Sequence, residues 1–184
     1  MVLKGSLTII NPMTIKRLIF ICIMLLVSAC TPRDEWATHL ASDSGFADYA
    51  FDYPAHWSLE DGNNFISLVY PKSIRGNAPD TLKAGQIMVS MSLNINKSPE
   101  EMVTYRAETL TGLIEFNAVQ SFDLEGRPAA SMEGVNPETQ DQTLLLALDM
   151  GQNTRALLSA RVAPGELETW LETLLRIAGS LRFQ

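Results

Sequence analysis

Ile87-Met88-Val89-Ser90-Met91-Ser92-Leu93-Asn94 decides the fold class of this chain. Ile87, Val89, Met91 and Leu93 alternate with Met88, Ser90, Ser92 and Asn94, the period-two pattern of a strand with one face buried. The chain then changes habit. Ser98-Pro99-Glu100-Glu101 starts a helix: Ser98 caps the free amides, Pro99 suits the first turn, and Glu101 completes a capping box. Both glutamates favour the positive end of the helix dipole. Met102, Tyr105 or Arg106, Thr109 or Leu110, and Leu113 continue a helical stripe.

Working outward, the same two habits recur. Upstream, Tyr49, Phe51 and Tyr53 alternate with Ala50 and Asp52 until Pro54. Trp57 to Leu59 and Phe65 to Tyr70 read as two further strands, joined by a turn at Glu60-Asp61-Gly62-Asn63. Downstream, Ala118 to Leu124 and Arg127 to Glu133 form a hairpin about Glu125-Gly126. Leu144 to Met150 and Arg155 to Val162 form a longer one about Gly151-Gln152-Asn153. Pro164 opens a second helix, whose apolar face is Leu167, Trp170, Leu171, Leu174, Leu175 and Ala178. Leu181 to Phe183 makes a last short strand. Short turns between strands predict an α+β fold, a largely antiparallel sheet flanked by two helices. The predicted core holds Phe51, Tyr53, Trp57, Ile87, Val89, Met91, Leu93, Leu146, Leu148, Leu158, Trp170, Leu171 and Leu174.

The N-terminus answers a different question. Lys16-Arg17 precede ten apolar residues, Leu18 to Val27, and then Ser28-Ala29-Cys30. Two cations, a short apolar run and small residues before a cysteine describe a secretory signal peptide. A spanning helix needs about 20 apolar residues, so this run is too short for one. Val27-Ser28-Ala29-Cys30 resembles the lipobox of bacterial lipoproteins. The resemblance implies cleavage between Ala29 and Cys30, a diacylglyceryl group on the Cys30 sulfur, and acylation (palmitate or similar) of the new amino group. It places the protein outside the cytoplasm, lipid-anchored to the cell membrane, or to an outer membrane if the organism has one; Thr31 is not the Asp that retains such proteins at an inner membrane. Translation from Met13 would give a shorter n-region than translation from Met1.

On this reading residues 1–29 are the signal peptide, 30–45 a tether with a turn of helix at Glu35–Leu40, and 46–184 one domain, a size that supports a real core. Lys4, Lys16 and Arg17 precede Cys30, which leaves 11 of the 14 cations against all 21 acids, a net charge of −10. That argues against nucleic acid as a partner and against electrostatic docking on anionic lipid. Cys22 departs with the signal peptide and Cys30 takes lipid. Neither is then available for a disulfide, a thiolate metal site or a nucleophile.

Three stretches together resemble the PsbP-like family: Tyr49-Ala50-Phe51-Asp52-Tyr53-Pro54-Ala55-His56-Trp57; the Ser-Pro-Glu-Glu helix with Phe122-Asp123-Leu124-Glu125-Gly126-Arg127-Pro128-Ala129; and the final helix before Gly179-Ser180-Leu181-Arg182-Phe183. The resemblance spans about residues 46–184 and implies a sheet sandwiched between helices. It also implies binding to other proteins without catalysis. Photosystem II extrinsic subunits, a transport factor that binds the Ran GTPase and envelope lipoproteins share that fold.

Beside the resemblance, the residues show no chemistry of their own. His39 lies in the tether and His56 in a turn, without a recognisable partner. Glu60-Asp61-Gly62-Asn63-Asn64 lacks the spacing of a calcium loop. Glu133, Glu138 and Asp141 read as a solvated face. No catalytic residue, no metal ligand and no cofactor is expected; Cys30 alone carries a modification. The favoured function is a lipid-anchored, non-catalytic module that binds or scaffolds another envelope protein, with the loops Pro71–Gly85 and Asn136–Gln142 as contact surfaces. An exported hydrolase and a small-ligand or lipid carrier are the alternatives.

Overall fold

Alternation along Ile87–Ile95 puts Ile87, Val89 and Met91 in the core and leaves Ser90 exposed, so this strand sits inside a sheet covered on one side. The computed structural model describes residues 35–41, 48–62, 65–76 and 79–184. The signal peptide, Ala29, Cys30 and residues 31–34 lie outside the described residues.

The strands are β1 (Trp36–Ala41), β2 (Tyr49–Pro54), β3 (Ser58–Asp61), β4 (Ile66–Tyr70), β5 (Ile87–Ile95), β6 (Glu115–Phe116), β7 (Gln120–Leu124), β8 (Arg127–Val135), β9 (Gln142–Gly151), β10 (Thr154–Val162) and β11 (Arg182–Phe183). The helices are α1 (Pro99–Thr109) and α2 (Leu167–Ser180), with a 3-10 turn at Lys72–Ile74. The large sheet has eight strands in the order β3-β4-β5-β10-β9-β8-β6, with β7 also paired to β8; a small sheet has the order β1-β2-β11. Every pairing is antiparallel. The fold is α+β, as the turn lengths predicted.

The large sheet is the middle layer. On one face Met102, Val103 and Ala107 of α1 pack on Ala130, Leu145 and Ala147. On the other, Leu167, Leu174, Ile177 and Ala178 of α2 share the main core with Phe51 of the small sheet and with Ile87, Val89, Met91, Leu144, Leu146 and Leu158. The predicted core residues Tyr53, Leu93, Trp170 and Leu171 are only partly buried and pack at its margin. Ile177, absent from the predicted stripe, is fully buried.

Two expectations are corrected here. Glu35–Leu40 forms no turn of helix: residues 36–41 are β1, paired with β2 from Trp36↔Pro54 to Ala41↔Tyr49, and the Ala55 amide donates to the Glu35 carbonyl at 2.7 Å. β2 supplies a pairing edge that a polar stretch with little pattern does not advertise, so tertiary pairing overrides local propensity. The folded unit thus begins at Glu35 rather than at residue 46. The second correction concerns α1, which buries Pro99, Met102, Val103 and Ala107 while Tyr105 and Leu113 stand 55% and 61% exposed. The chain turns at Leu110–Leu113, so Leu113 never joins the helix face.

The capping box forms as predicted. Ser98 Oγ accepts from the Glu101 amide at 3.2 Å and Glu101 Oε2 from the Ser98 amide at 2.7 Å. A bonded amide at this helix start, then the Ser121 hydroxyl at 2.8 Å, holds the Glu100 carboxyl below its ordinary range. Ser98→Ala is expected to destabilise the unit by about 1 kcal/mol, read from the denaturant midpoint; an unchanged midpoint would show that α1 is held by packing alone. Gly134 makes a second local demand. A Cβ there would lie 2.6 Å from both Ile114 Cγ2 and Phe116 Cδ1. Gly134→Ala is expected to cost about 1–3 kcal/mol as overpacking, and to shift the Phe116 ring resonances in an NMR spectrum.

Arg127, in the stretch that carries the family resemblance, joins distant parts. Its guanidinium donates to the Leu181 carbonyl at 2.7 Å and to the Gly179 carbonyl. The last carbonyls of a helix lack partners within it, and a cation suits that end of the dipole. The β7–β8 hairpin is thereby fastened to the end of α2.

Candidate functional site

α1 is short and covers β8 and β9, so the same face of the large sheet stays open over β4 and β5. Register places Ser67 opposite Ser90 and Ser90 opposite Ser159, a row of hydroxyls across β4, β5 and β10. Ser90 Oγ donates to the Ser159 carbonyl at 3.5 Å. This row floors a trough made of two adjoining hollows of about 290 and 230 Å³, which share Ser67 and Met88.

The walls differ in chemistry. One is the 3-10 turn, with Ile74 and Arg75; Arg75 Nε stands 3.9 Å from Glu60 Oε2. The other is the end of α1 and the turn after it, with Arg106, Leu110 and Ile114. Arg106 Nη1 donates to Thr109 Oγ1 at 3.4 Å.

Arg161 closes one end. Its Nε donates to Asp141 Oδ2 at 2.7 Å, its Nη2 bonds the same carboxylate and the Asp80 carbonyl, and its Nη1 donates to the Pro79 carbonyl at 3.1 Å. The Leu82 amide donates to both Asp141 oxygens, at 3.2 and 3.3 Å. Asp141 is 1% exposed. Its reading as part of a solvated face is therefore corrected, while Glu133 and Glu138 are exposed as expected. Asp141 ends a polar loop, and only the return of the 79–82 segment over the sheet end buries it.

Part of the loop Pro71–Gly85 is packed as well. Ile74 and Leu82 are buried with Val69 and Ala163 in a third small core. The structure brings the two expected contact loops together through Asp141, as parts of a packed end of the domain. Periodicity gives no sign of this, because isolated apolar residues in irregular chain have no period.

The histidines stand apart from the trough. His39 Nε2 lies 3.0 Å from Asp61 Oδ2, tying β1 to the end of β3, and its ring meets Phe51 edge-on at 5.5 Å. His56 packs edge-on against Tyr70 at 5.0 Å, beside Trp57 and Trp170. Among the described residues no three His, Cys, Asp or Glu side chains gather as metal ligands. No helix of the described residues is long and apolar enough to cross a membrane. The trough offers hydroxyls, guanidinium groups and a small apolar wall, a surface suited to holding an extended polar segment.

No family model matches the chain. No curated protein matches it in sequence. Solved structures do. LpqN, involved in cell envelope biogenesis of Mycobacterium tuberculosis, is 13% identical over 82% of this chain and 92% of its own, with a TM-score of 0.51. CyanoP, the cyanobacterial PsbP of Synechocystis sp. PCC 6803, is 12% identical over 84% of this chain and 96% of its own, with a TM-score of 0.46. At such identities a shared fold is what the LpqN likeness establishes.

Proposed function

We propose that this chain is a lipid-anchored envelope protein whose folded unit binds or scaffolds another envelope protein without catalysis. Lipid on Cys30, cleavage after Ala29 and a PsbP-like classification all belong to this proposal. The lipobox at Val27–Cys30 supports the anchor, and the fold shared with LpqN, a protein of cell envelope biogenesis, fits the setting.

The observation that carries the binding role is the open trough over Ser67, Ser90 and Ser159. Its serines have no histidine beside them to act as base, since both histidines stand elsewhere. A shallow face with hydroxyls and arginines suits recognition of a polar, extended protein segment.

Ser90→Trp tests the reading. Ser90 is exposed, so the indole fills the trough and leaves the core alone. The variant is expected to melt with the wild type and to lose the protein that the wild type brings down from its own membranes. Undiminished capture would remove the trough as the binding site. Turnover of an ester, peptide or glycan, lost in His56→Ala with the fold intact, would overturn the non-catalytic reading.

A further inference from the structure

We propose that the hollow of the trough beside α1 binds a carboxylate, presented by an acidic residue of the protein segment that the trough holds. This rests on the binding role proposed above and names the chemical group recognised there. Register builds the floor. One step along from the serine row, Met88 lies opposite Arg161 and Arg161 opposite Thr143. Residues two apart on a strand share a face, so Arg161 and Thr143 stand on the same face as Ser90 and Ser159. Arg106 of α1 completes the hollow, which measures about 230 Å³.

The two arginines differ in what already meets them. Arg161 has the Asp141 carboxylate and the Pro79 and Asp80 carbonyls. Arg106 is half-buried, and its side chain's one hydrogen bond among the described residues is the long contact with Thr109 Oγ1. No carboxylate stands within ion-pair distance of it among those residues. Thr143 is 4% exposed, and its hydroxyl has no hydrogen-bond partner among the described residues. The half-buried Ser159 hydroxyl has none either. The chain carries 21 acids against 14 cations, yet no carboxylate lines this hollow.

A guanidinium only donates, and a free hydroxyl can turn to donate, so the hollow selects an acceptor. A buried hydroxyl and a half-buried cation without partners have both lost hydration, which an anion makes good. One unmet cation matches one negative charge, which favours a carboxylate over a phosphate carrying about −2. The two carboxylate oxygens offer enough lone pairs for the Arg106 fork and both hydroxyls. Drug-sized ligands occupy about 300–1,000 Å³, so a hollow of about 230 Å³ takes one side chain rather than a whole ligand. In the neighbouring hollow Arg75 already has Glu60 at 3.9 Å, so the preference for an anion belongs to the α1 side.

The test titrates the full chain, in non-ionic detergent, with a capped Gly-Ser-Glu-Ser-Gly peptide, with its Gln counterpart and with inorganic phosphate. Amide NMR shifts are followed at Thr143 and Ser159. The Glu peptide is expected to move both amides and to bind about tenfold tighter than the Gln peptide. In Arg106→Gln the two peptides are expected to bind alike. Thr143→Val keeps the shape and removes the hydroxyl, and is expected to weaken the Glu peptide several-fold; it carries the test if Arg106→Gln melts early. Equal binding of the two peptides to the wild type would overturn the carboxylate site and leave a polar trough. Binding of neither, with capture still lost in Ser90→Trp, would do the same. Tighter binding of phosphate than of the Glu peptide would assign the hollow to a phosphate group and overturn the carboxylate. Undiminished capture by Ser90→Trp would take down the binding role and this site with it.

Discussion

Phe51→Ala is expected to destabilise the folded unit by about 4 kcal/mol. Phe51 is 0% exposed and shares the main core with Leu146 and Leu158 of the large sheet and with Leu174 and Ile177 of α2. Its ring meets His39 at 5.5 Å and Tyr53 at 5.9 Å. With Ala41 and Tyr49 it is one of the buried side chains through which the small sheet is joined to the rest of the fold. Truncation loses the transfer free energy of the ring and leaves a cavity between two sheets that cannot both collapse into it. Domains of this size are stable by about 5–15 kcal/mol, so the loss is a large share. The measurement is a denaturant melt, with a lower midpoint at unchanged slope. A loss below about 1 kcal/mol, the level of an ordinary substitution, would show that the small sheet is not packed on this core.

Asp141→Ala is expected to cost about 3 kcal/mol, the lower end for breaking a buried ion pair. The low end applies because the Arg161 side chain is 32% exposed and regains water, whereas Asp141 is almost fully buried. Part of the loss is the Leu82 amide, which loses both of its carboxylate acceptors. The effect also has a place. Leu82 and Ile74 form the small core under the loop, so hydrogen exchange is expected to quicken first at Leu82 and its neighbours, before the central strands. Uniform quickening across the unit would show that the clasp holds the whole fold rather than this end.

The elements legible in the sequence are those whose pattern is local. β5 alternates from Ile87 to Leu93 because both of its neighbours bury the same face. α1 announces its start because the Ser98–Glu101 bonds lie within one turn. The β9–β10 hairpin announces its turn because Gly151, Gln152 and Asn153 all take positive φ, a conformation that Gly151 and Asn153 tolerate. β1 was not legible, since Trp36–Ala41 becomes a strand only where β2 offers an edge. Asp141 was not legible either, since a carboxylate in a polar loop reads as solvated until a segment about 60 residues earlier in the chain folds over it.

The sequence by itself determined the class of fold, the order of its main elements and the lipobox expectation at Cys30, because each rests on neighbours within a few residues. Only the tertiary structure decided where the folded unit begins, which carboxylate is buried, and that three serines from three strands line one trough. Those outcomes depend on pairings between residues far apart in the chain. Hydrophobic periodicity carries no record of such pairings, because a side chain's face is set by its own strand but its neighbours are set by another.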